Sequence, residues 1–349
     1  MSLVDDVRVR EMGAMPSPRE LKQKYPLTAS MTTAIYESRQ AVRRIIRGED
    51  SRMLVVIGPC SVHDVAATHE YAQRLSGIAA RMRDRLLIIM RVYLEKPRTT
   101  VGWRGMMNDP FMDGSFDMAA GLDVSRKLLC DVTDMGLPTA TEMLDPISAQ
   151  YTADVVVLAA IGARTTESQM HRALASGLSM PVGFKNGTDG SIDVAVHACI
   201  SGAAQHSFLG ITQDGVGAVV KTAGNPDGFV ILRGSRQGPN FDDASVNKTL
   251  DLMRAAKIPP AVMIDCSHAN SASDHRRQRA VWRSGLAMRA QGNTSMIGMM
   301  VESNLSEGKQ SLGNDISALQ YGVSITDACV GWDETVDMLE EAYNGVSSS

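Results

Sequence analysis

The chain has 349 residues, 44% hydrophobic and 21% charged, with a net charge of −4. That length suits one large α/β barrel as well as two domains, and the apolar content excludes disorder over most of the chain. The acid excess excludes nucleic-acid binding through a global basic surface, and no apolar run approaches the roughly 18 residues that cross a bilayer. Residues 1–30 carry charges, Pro16, Pro18 and Pro26, and little periodicity, and read as an extended arm. From Glu37 to Arg47 the residues Ala41, Val42, Ile45 and Ile46 share one helical face, with Gly48 as the stop. Eight apolar runs follow, at Met53–Gly58, Leu86–Tyr93, Pro138–Glu142, Leu158–Arg164, Pro181–Lys185, Phe229–Arg233, Ala261–Asp265 and Ser295–Glu302. Each reads as a strand buried on both faces. Helical stretches between them include His69–Met82, Asp117–Met135, Glu167–Ser176 and Ser245–Ala256.

This alternation predicts a (β/α)8 barrel over 51–349, preceded by an arm and helix over 1–50. Two segments break the rhythm. Residues 94–116 form a long loop after the second strand, and residues 206–222 read as a hairpin inserted before strand six, turning at Asp214-Gly215. Long insertions of this kind usually serve function. The acidic N-terminus has no apolar core and does not read as a secretory signal. The five scattered cysteines, at 60, 130, 199, 266 and 329, lack disulfide or CxxC spacing and suggest reduced thiols in a cytoplasmic protein.

Barrel enzymes carry their chemistry at the C-terminal strand ends. Here those ends are Cys60, Arg91, Glu142, Arg164, Lys185, Arg233, His268 and Glu302. Each offers a group able to ligate, donate or titrate. Lys96 and Arg98 in the loop after strand two join Arg91, Arg164, Lys185 and Arg233, gathering six positive charges at one mouth of an acidic protein. Taken singly, each would be an ordinary surface cation. Together they call for substrates bearing several phosphate or carboxylate groups. Cys60, His268 and Glu302, with Asp327 in the final loop, offer sulfur, nitrogen and oxygen ligands to one divalent ion, with Mn, Fe, Co and Zn all compatible. Cys266 rivals Cys60, since it lies two residues before His268 and on the same strand face, and spacing does not separate them. No GxSxG, Walker A or GxGxxG motif occurs.

The segments GPCSVHD (Gly58–Asp64) and EKPRTTVGW (Glu95–Trp103) resemble those of the type I 3-deoxy-D-arabino-heptulosonate 7-phosphate (DAHP) synthases, in their feedback-regulated subgroup. Further matches are IGARTTESQ (Ile161–Gln169), HRALASGLSMPVGFKNGTDG (His171–Gly190), DCSHAN (Asp265–Asn270), MVESN (Met300–Asn304) and YGVSITDACVGW (Tyr321–Trp332). The resemblance implies condensation of phosphoenolpyruvate with erythrose 4-phosphate, the first step toward the aromatic amino acids. It places the metal on Cys60, His268, Glu302 and Asp327, which decides against Cys266. It places phosphoenolpyruvate at Arg91, Lys96, Ala163, Arg164, Lys185 and Arg233, near Glu142, and the sugar phosphate at Pro97, Arg98 and Thr99. Lys96, Glu142 and Asp327 are the implied catalytic groups. Two related alternatives are a synthase condensing phosphoenolpyruvate with arabinose 5-phosphate and an inactive barrel serving as an amino-acid sensor.

Leu158 stands where the family usually has an aromatic residue, and Ser235 replaces the second glycine of its LRGG motif. The subgroup's inhibitor pocket maps to Asp145, Gln150, Ser179, Phe208 and Ile211, with tyrosine the favoured effector. The resemblance also implies a homodimer or a dimer-based homotetramer, its arm reaching a neighbouring subunit.

Overall fold

The computed structural model describes residues 4–98, 100–313 and 315–346. Near its start, Ser17 caps α1 (Pro18–Lys24) in a capping box with Glu20, and Pro18 supplies a fixed φ in the first turn. Thr28 caps α2 (Ala29–Ile46), which buries Met31 and Ile35 as well as Ala41, Val42, Ile45 and Ile46. The arm is therefore partly helical rather than extended, and its second helix begins eight residues before the expected Glu37. The missed signals are local hydrogen bonds at the caps, which periodicity does not register.

Ten strands follow among the described residues: β1 (Met53–Gly58), β2 (Leu86–Arg91), β3 (Thr139–Glu142), β4 (Leu158–Ile161), β5 (Val182–Lys185), β6 (Ser207–Ile211), β7 (Gly217–Lys221), β8 (Gly228–Leu232), β9 (Val262–Asp265) and β10 (Met296–Glu302). Eight of them close a barrel in the order β1-β10-β9-β8-β5-β4-β3-β2, with parallel pairing throughout. Behind the barrel strands come α3 (Val65–Met82), α4 (Met118–Asp134), α5 (Ala149–Thr152), α6 (Gln169–Ala175), α7 (Asp193–Gly202), α8 (Asp243–Ala255), α9 (Gln278–Ala290) and α10 (Trp332–Gly345). This is the expected (β/α)8 TIM barrel. Strands β6 and β7 form the expected antiparallel hairpin between α7 and the sixth barrel strand, β8.

Every residue of β1, β8 and β10 is buried. Burial at about 1.5–3 kcal/mol per large aliphatic side chain makes these runs the main apolar anchor of the fold. The expected strands at Leu86–Tyr93 and Leu158–Arg164 end earlier, at Arg91 and Ile161, and the residues beyond turn into the loops of the barrel mouth.

Helix α2 lies at the opposite end. Arg39 donates to the carbonyls of Ala153 and Val156, Arg43 donates to the Ser179 carbonyl, and Arg43 and Arg47 both pair with Asp227. These contacts all fall on segments just before β4, β5 and β8, which places α2 across the N-terminal face. Helix α1 instead meets the hairpin turn: the Arg19 amide donates to the Gln213 carbonyl at 2.8 Å, and its guanidinium pairs with Asp214 at 2.7 Å.

Candidate active site

Of the eight strand-end residues, Arg91, Glu142, Arg164, Lys185, Arg233 and His268 line one cavity of about 250 Å³, while Cys60 and Glu302 lie outside its wall. Gly58 makes the first turn possible. Its φ is +154°, and a Cβ there would sit 2.7 Å from the Arg91 carbonyl oxygen, so only glycine lets β1 pass β2 and release Cys60 into the mouth.

Arg91 is fully buried at the end of β2. Its guanidinium donates to the Pro59 and Cys60 carbonyls at 3.1 Å each, pairs with Glu302 at 2.9 Å, and lies 3.5 Å from the centre of the Tyr93 ring. Burial opposes the charge, yet Tyr93 and Glu302 hold its pKa above the ordinary value. Lys96 is also buried, with Nζ 2.7 Å from Cys60 Sγ and 3.5 Å from Asp327 Oδ2. Against burial, Cys60, Glu302 and Asp327 keep it firmly an ammonium.

One ligand atom each from Cys60, Glu302 and Asp327 lie within 4.8 Å of one another. Burial and Glu302 push the Cys60 thiol up to about 12 in the absence of any ion. Cys266 is buried outside this group. His268 approaches it from β9's end: its Nε2 is 3.7 Å from Glu302 Oε1, and its Nδ1 is 2.9 Å from Asp265 Oδ2. The Nδ1 approach is a close contact rather than a well-directed hydrogen bond, since that nitrogen has no hydrogen-bond partner among the described residues. The residue is held at φ +59°, a left-handed conformation that costs a histidine energy and is kept where surroundings enforce it.

Lys185, buried at the end of β5, pairs with Asp265 Oδ2 at 2.8 Å. Arg233 leaves β8 with its backbone N–H on Asn186 Oδ1, and burial together with Arg164 lowers its pKa. Arg164, Ala163, Pro97 and Arg98 line the same cavity. Thr99 lies outside the described residues. Glu142 is buried at the cavity wall, and its Oε1 has no hydrogen-bond partner among the described residues.

The structure also shows polar neighbours of the site that sequence reasoning missed. Asp265 is fully buried and bridges Lys185 to His268. Although burial opposes its charge, His268 and Lys185 beside it hold its carboxyl well below the usual range. Ser267 donates to Glu302 Oε2 at 2.8 Å. Glu95 accepts from the Ser148 hydroxyl at 2.9 Å and ties the loop after β2 to the loop after β3. Alternation would have placed Asp265 and Ser267 on one face of β9 and its extension.

A second cavity lies between α1, α5, α6 and the hairpin. Gln150, Ser179 and Phe208 line it, together with Lys22, Asp154 and Val220. Asp145 and Ile211 do not belong to its wall. Asp145 instead accepts the Ile147 and Ser148 amides in a tight turn, and Ile211 ends β6 opposite Gly217.

A parallel barrel whose mouth gathers six basic side chains beside a thiol–carboxylate cluster defines an enzyme for small, multiply anionic substrates. A family profile described as the DAHP synthetase I family matches residues 25–340, and the chain belongs to that family. It is 50% identical over 344 residues to the Tyr-sensitive phospho-2-dehydro-3-deoxyheptonate aldolase of Escherichia coli strain K12, covering 99% of this chain and 96% of that one. The Phe-sensitive enzyme of the same strain is 49% identical over 344 residues, covering 99% and 98%. Among solved structures, the phospho-2-dehydro-3-deoxyheptonate aldolase of Francisella tularensis SCHU S4 matches with a TM-score of 0.94 at 45% identity, over 97% of this chain and 98% of that one.

Proposed function

We infer that the protein is a DAHP synthase, EC 2.5.1.54, joining phosphoenolpyruvate to erythrose 4-phosphate with addition of water and release of phosphate. The observation that carries the residue assignment is the convergence of Arg91, Lys96, Arg98, Arg164, Lys185 and Arg233 on one cavity beside Cys60, Glu302 and Asp327. Phosphoenolpyruvate brings about three negative charges and the sugar phosphate about two, which these cations balance.

The donor set fits a divalent cation. A thiol and two carboxylates face one another, and the ammonium of Lys96 already stands 2.7 Å from the sulfur, where a positive charge is favoured. Cys60, Glu302, Asp327 and His268 would hold Mn, Fe, Co or Zn. Such an ion supplies Lewis acidity toward an aldehyde oxygen. Arg91, Lys185, Arg164 and Arg233, with the Ala163 segment, bind phosphoenolpyruvate. Pro97, Arg98 and Thr99 bind the sugar phosphate. As C3 of phosphoenolpyruvate bonds to the aldehyde carbon, Lys96 Nζ donates a proton to the developing alkoxide. Water then adds at C2, its proton taken by Glu142 Oε1, and phosphate leaves with its C–O bond broken. Asp327 keeps Lys96 charged.

A steady-state assay of Mn-loaded protein, following loss of phosphoenolpyruvate absorbance, tests this reading. Turnover should require erythrose 4-phosphate and disappear with EDTA. Full activity of Cys60→Ala in metal-replete buffer would sink the ligand assignment.

The second cavity is the regulatory site. Lys22 and Asp154, the latter held by both oxygens on Arg126, bring polar groups to it, and Phe208 offers an aromatic wall. Relatives sensitive to tyrosine and to phenylalanine are almost equally similar to this chain. Tyrosine is the favoured effector on the sequence motifs. The active form is a homodimer or dimer-based homotetramer in the cytoplasm, in which the exposed Val4, Val7, Val9, Met12 and Met15 of the arm meet a neighbouring subunit. No helix among the described residues is long and apolar enough to cross a membrane.

A further inference from the structure

Arg164 and Arg233 do not only face the reaction cavity. Together with Thr188 they also form the wall of a second, outer cavity of about 430 Å³, which Arg236, Ser235 and Ser273 complete. None of the three arginines forms an ion pair among the described residues, and the Arg233 guanidinium reaches only the Gly234 carbonyl at 3.4 Å. Three guanidiniums around adjoining hollows repel one another unless an anion enters. At Arg233 burial lowers the pKa, Asp265 opposes that, and Arg164 adds to the lowering. Phosphoenolpyruvate in the inner cavity would engage Arg164 and Arg233 from one side. It would leave Arg236 and the hydroxyls of Thr188, Ser235 and Ser273 unused.

We propose that this outer cavity is a second anion site, a station for the inorganic phosphate released from phosphoenolpyruvate. The departing phosphate would pass from the inner faces of Arg164 and Arg233 to their outer faces. There Arg236 adds a third fork, and the hydroxyls supply neutral donors. No covalent step is involved; the anion exchanges one set of guanidinium contacts for another. The arrangement separates phosphate exit from the Arg98 side of the mouth, where the sugar phosphate is assigned. The inference rests on the reading that phosphate is a product.

Equilibrium dialysis with radiolabelled inorganic phosphate tests it. The protein is the metal-loaded Arg98→Gln variant, which removes the assigned sugar-phosphate site, saturated with phosphoenolpyruvate. Close to one equivalent of phosphate should bind, and Arg98→Gln/Arg236→Gln should bind it at least tenfold more weakly, with phosphoenolpyruvate affinity unchanged by the Arg236 substitution. No phosphate bound to the saturated Arg98→Gln protein, or binding undiminished by Arg236→Gln, would overturn the station. A wild-type protein that fails to bind phosphoenolpyruvate in the parallel titration would overturn the reaction assignment and the station with it.

Discussion

Asp265 shows how much a single buried carboxylate can organise. Its Oδ2 lies 2.8 Å from Lys185 Nζ and 2.9 Å from His268 Nδ1, so one oxygen touches both a cavity-lining lysine proposed to bind substrate and a candidate metal ligand. Removing its charge leaves the buried Lys185 ammonium without its partner and His268 without the carboxylate beside its Nδ1. Asp265→Asn should therefore weaken metal binding by about 10–100-fold, the usual cost of losing a carboxylate behind a ligating histidine. Phosphoenolpyruvate affinity should fall in parallel. Metal titration and phosphoenolpyruvate titration of the folded variant check both; unchanged metal affinity would mean that Asp265 serves only packing. Glu95 supplies a pH prediction. Burial pushes its pKa from an ordinary 4.5 up to about 7, against the opposing hydrogen bond from Ser148. Between those values the folded protein holds a proton that the unfolded chain has lost, so this group's contribution to stability falls as pH rises from about 4.5 to 7 and is constant above. Glu95→Gln should gain up to about 2–3 kcal/mol over wild type at pH 8, with the gap closing by about pH 5. Urea midpoints at the two pH values measure it. The basic strand ends were legible because chain order alone puts Arg91, Arg164, Lys185 and Arg233 after apolar runs. Asp265 and Glu95 were not, because their meaning lies in partners 80 and 53 residues away.

At the scale of elements, the sequence announced the strands more clearly than the helices that open the chain. A run such as Met53–Gly58, apolar on both faces, has few alternatives to a barrel strand. Helix α1 has seven residues and is stabilised by a capping box and contacts with the hairpin and α5. Such tertiary support leaves little periodic trace. The start of α2 was hidden similarly, since its Met31 and Ile35 are separated from the apolar group at 41–46 by exposed Glu37 and neighbouring polar residues. The same helix offers a stability test. Asp227 is nearly buried and receives both Arg43, at 2.6 Å, and Arg47, at 3.1 Å. Asp227→Asn would leave the two arginines with a neutral acceptor. Because both arginines are partly exposed, the expected loss is about 1–3 kcal/mol, read as a lower denaturant midpoint, with KM for phosphoenolpyruvate unchanged. A shift in KM would mean that the N-terminal face communicates with the mouth.

In the whole molecule, reaction chemistry and structural anchoring occupy opposite ends. The mouth holds the cationic cavity and the thiol–carboxylate cluster, while the N-terminal face is closed by α2 and its arginine contacts. The fold was legible as eight alternating units, and the cavity followed from knowing which end of a barrel strand carries function. The wall of the proposed regulatory cavity was only half legible. Gln150, Ser179 and Phe208 meet there, but Lys22 and Asp154 arrive from an arm and a helix end that no local pattern connects to it. That cavity has a further consequence. Its walls come from Lys22, the 149–154 segment, Leu174–Ser179, Phe208 and Val220, so whatever fills it touches stretches spread over nearly 200 positions of the chain. A ligand bound there would act as a noncovalent staple. It binds the folded protein and has no counterpart site in the unfolded chain, so saturation must raise resistance to heat as well as alter turnover. At a concentration one hundred times its dissociation constant the gain is about 2.7 kcal/mol. Melting curves with tyrosine, phenylalanine or tryptophan should therefore rank the three effectors even where catalysis is not followed. A melting temperature that none of them moves would show that the staple is missing.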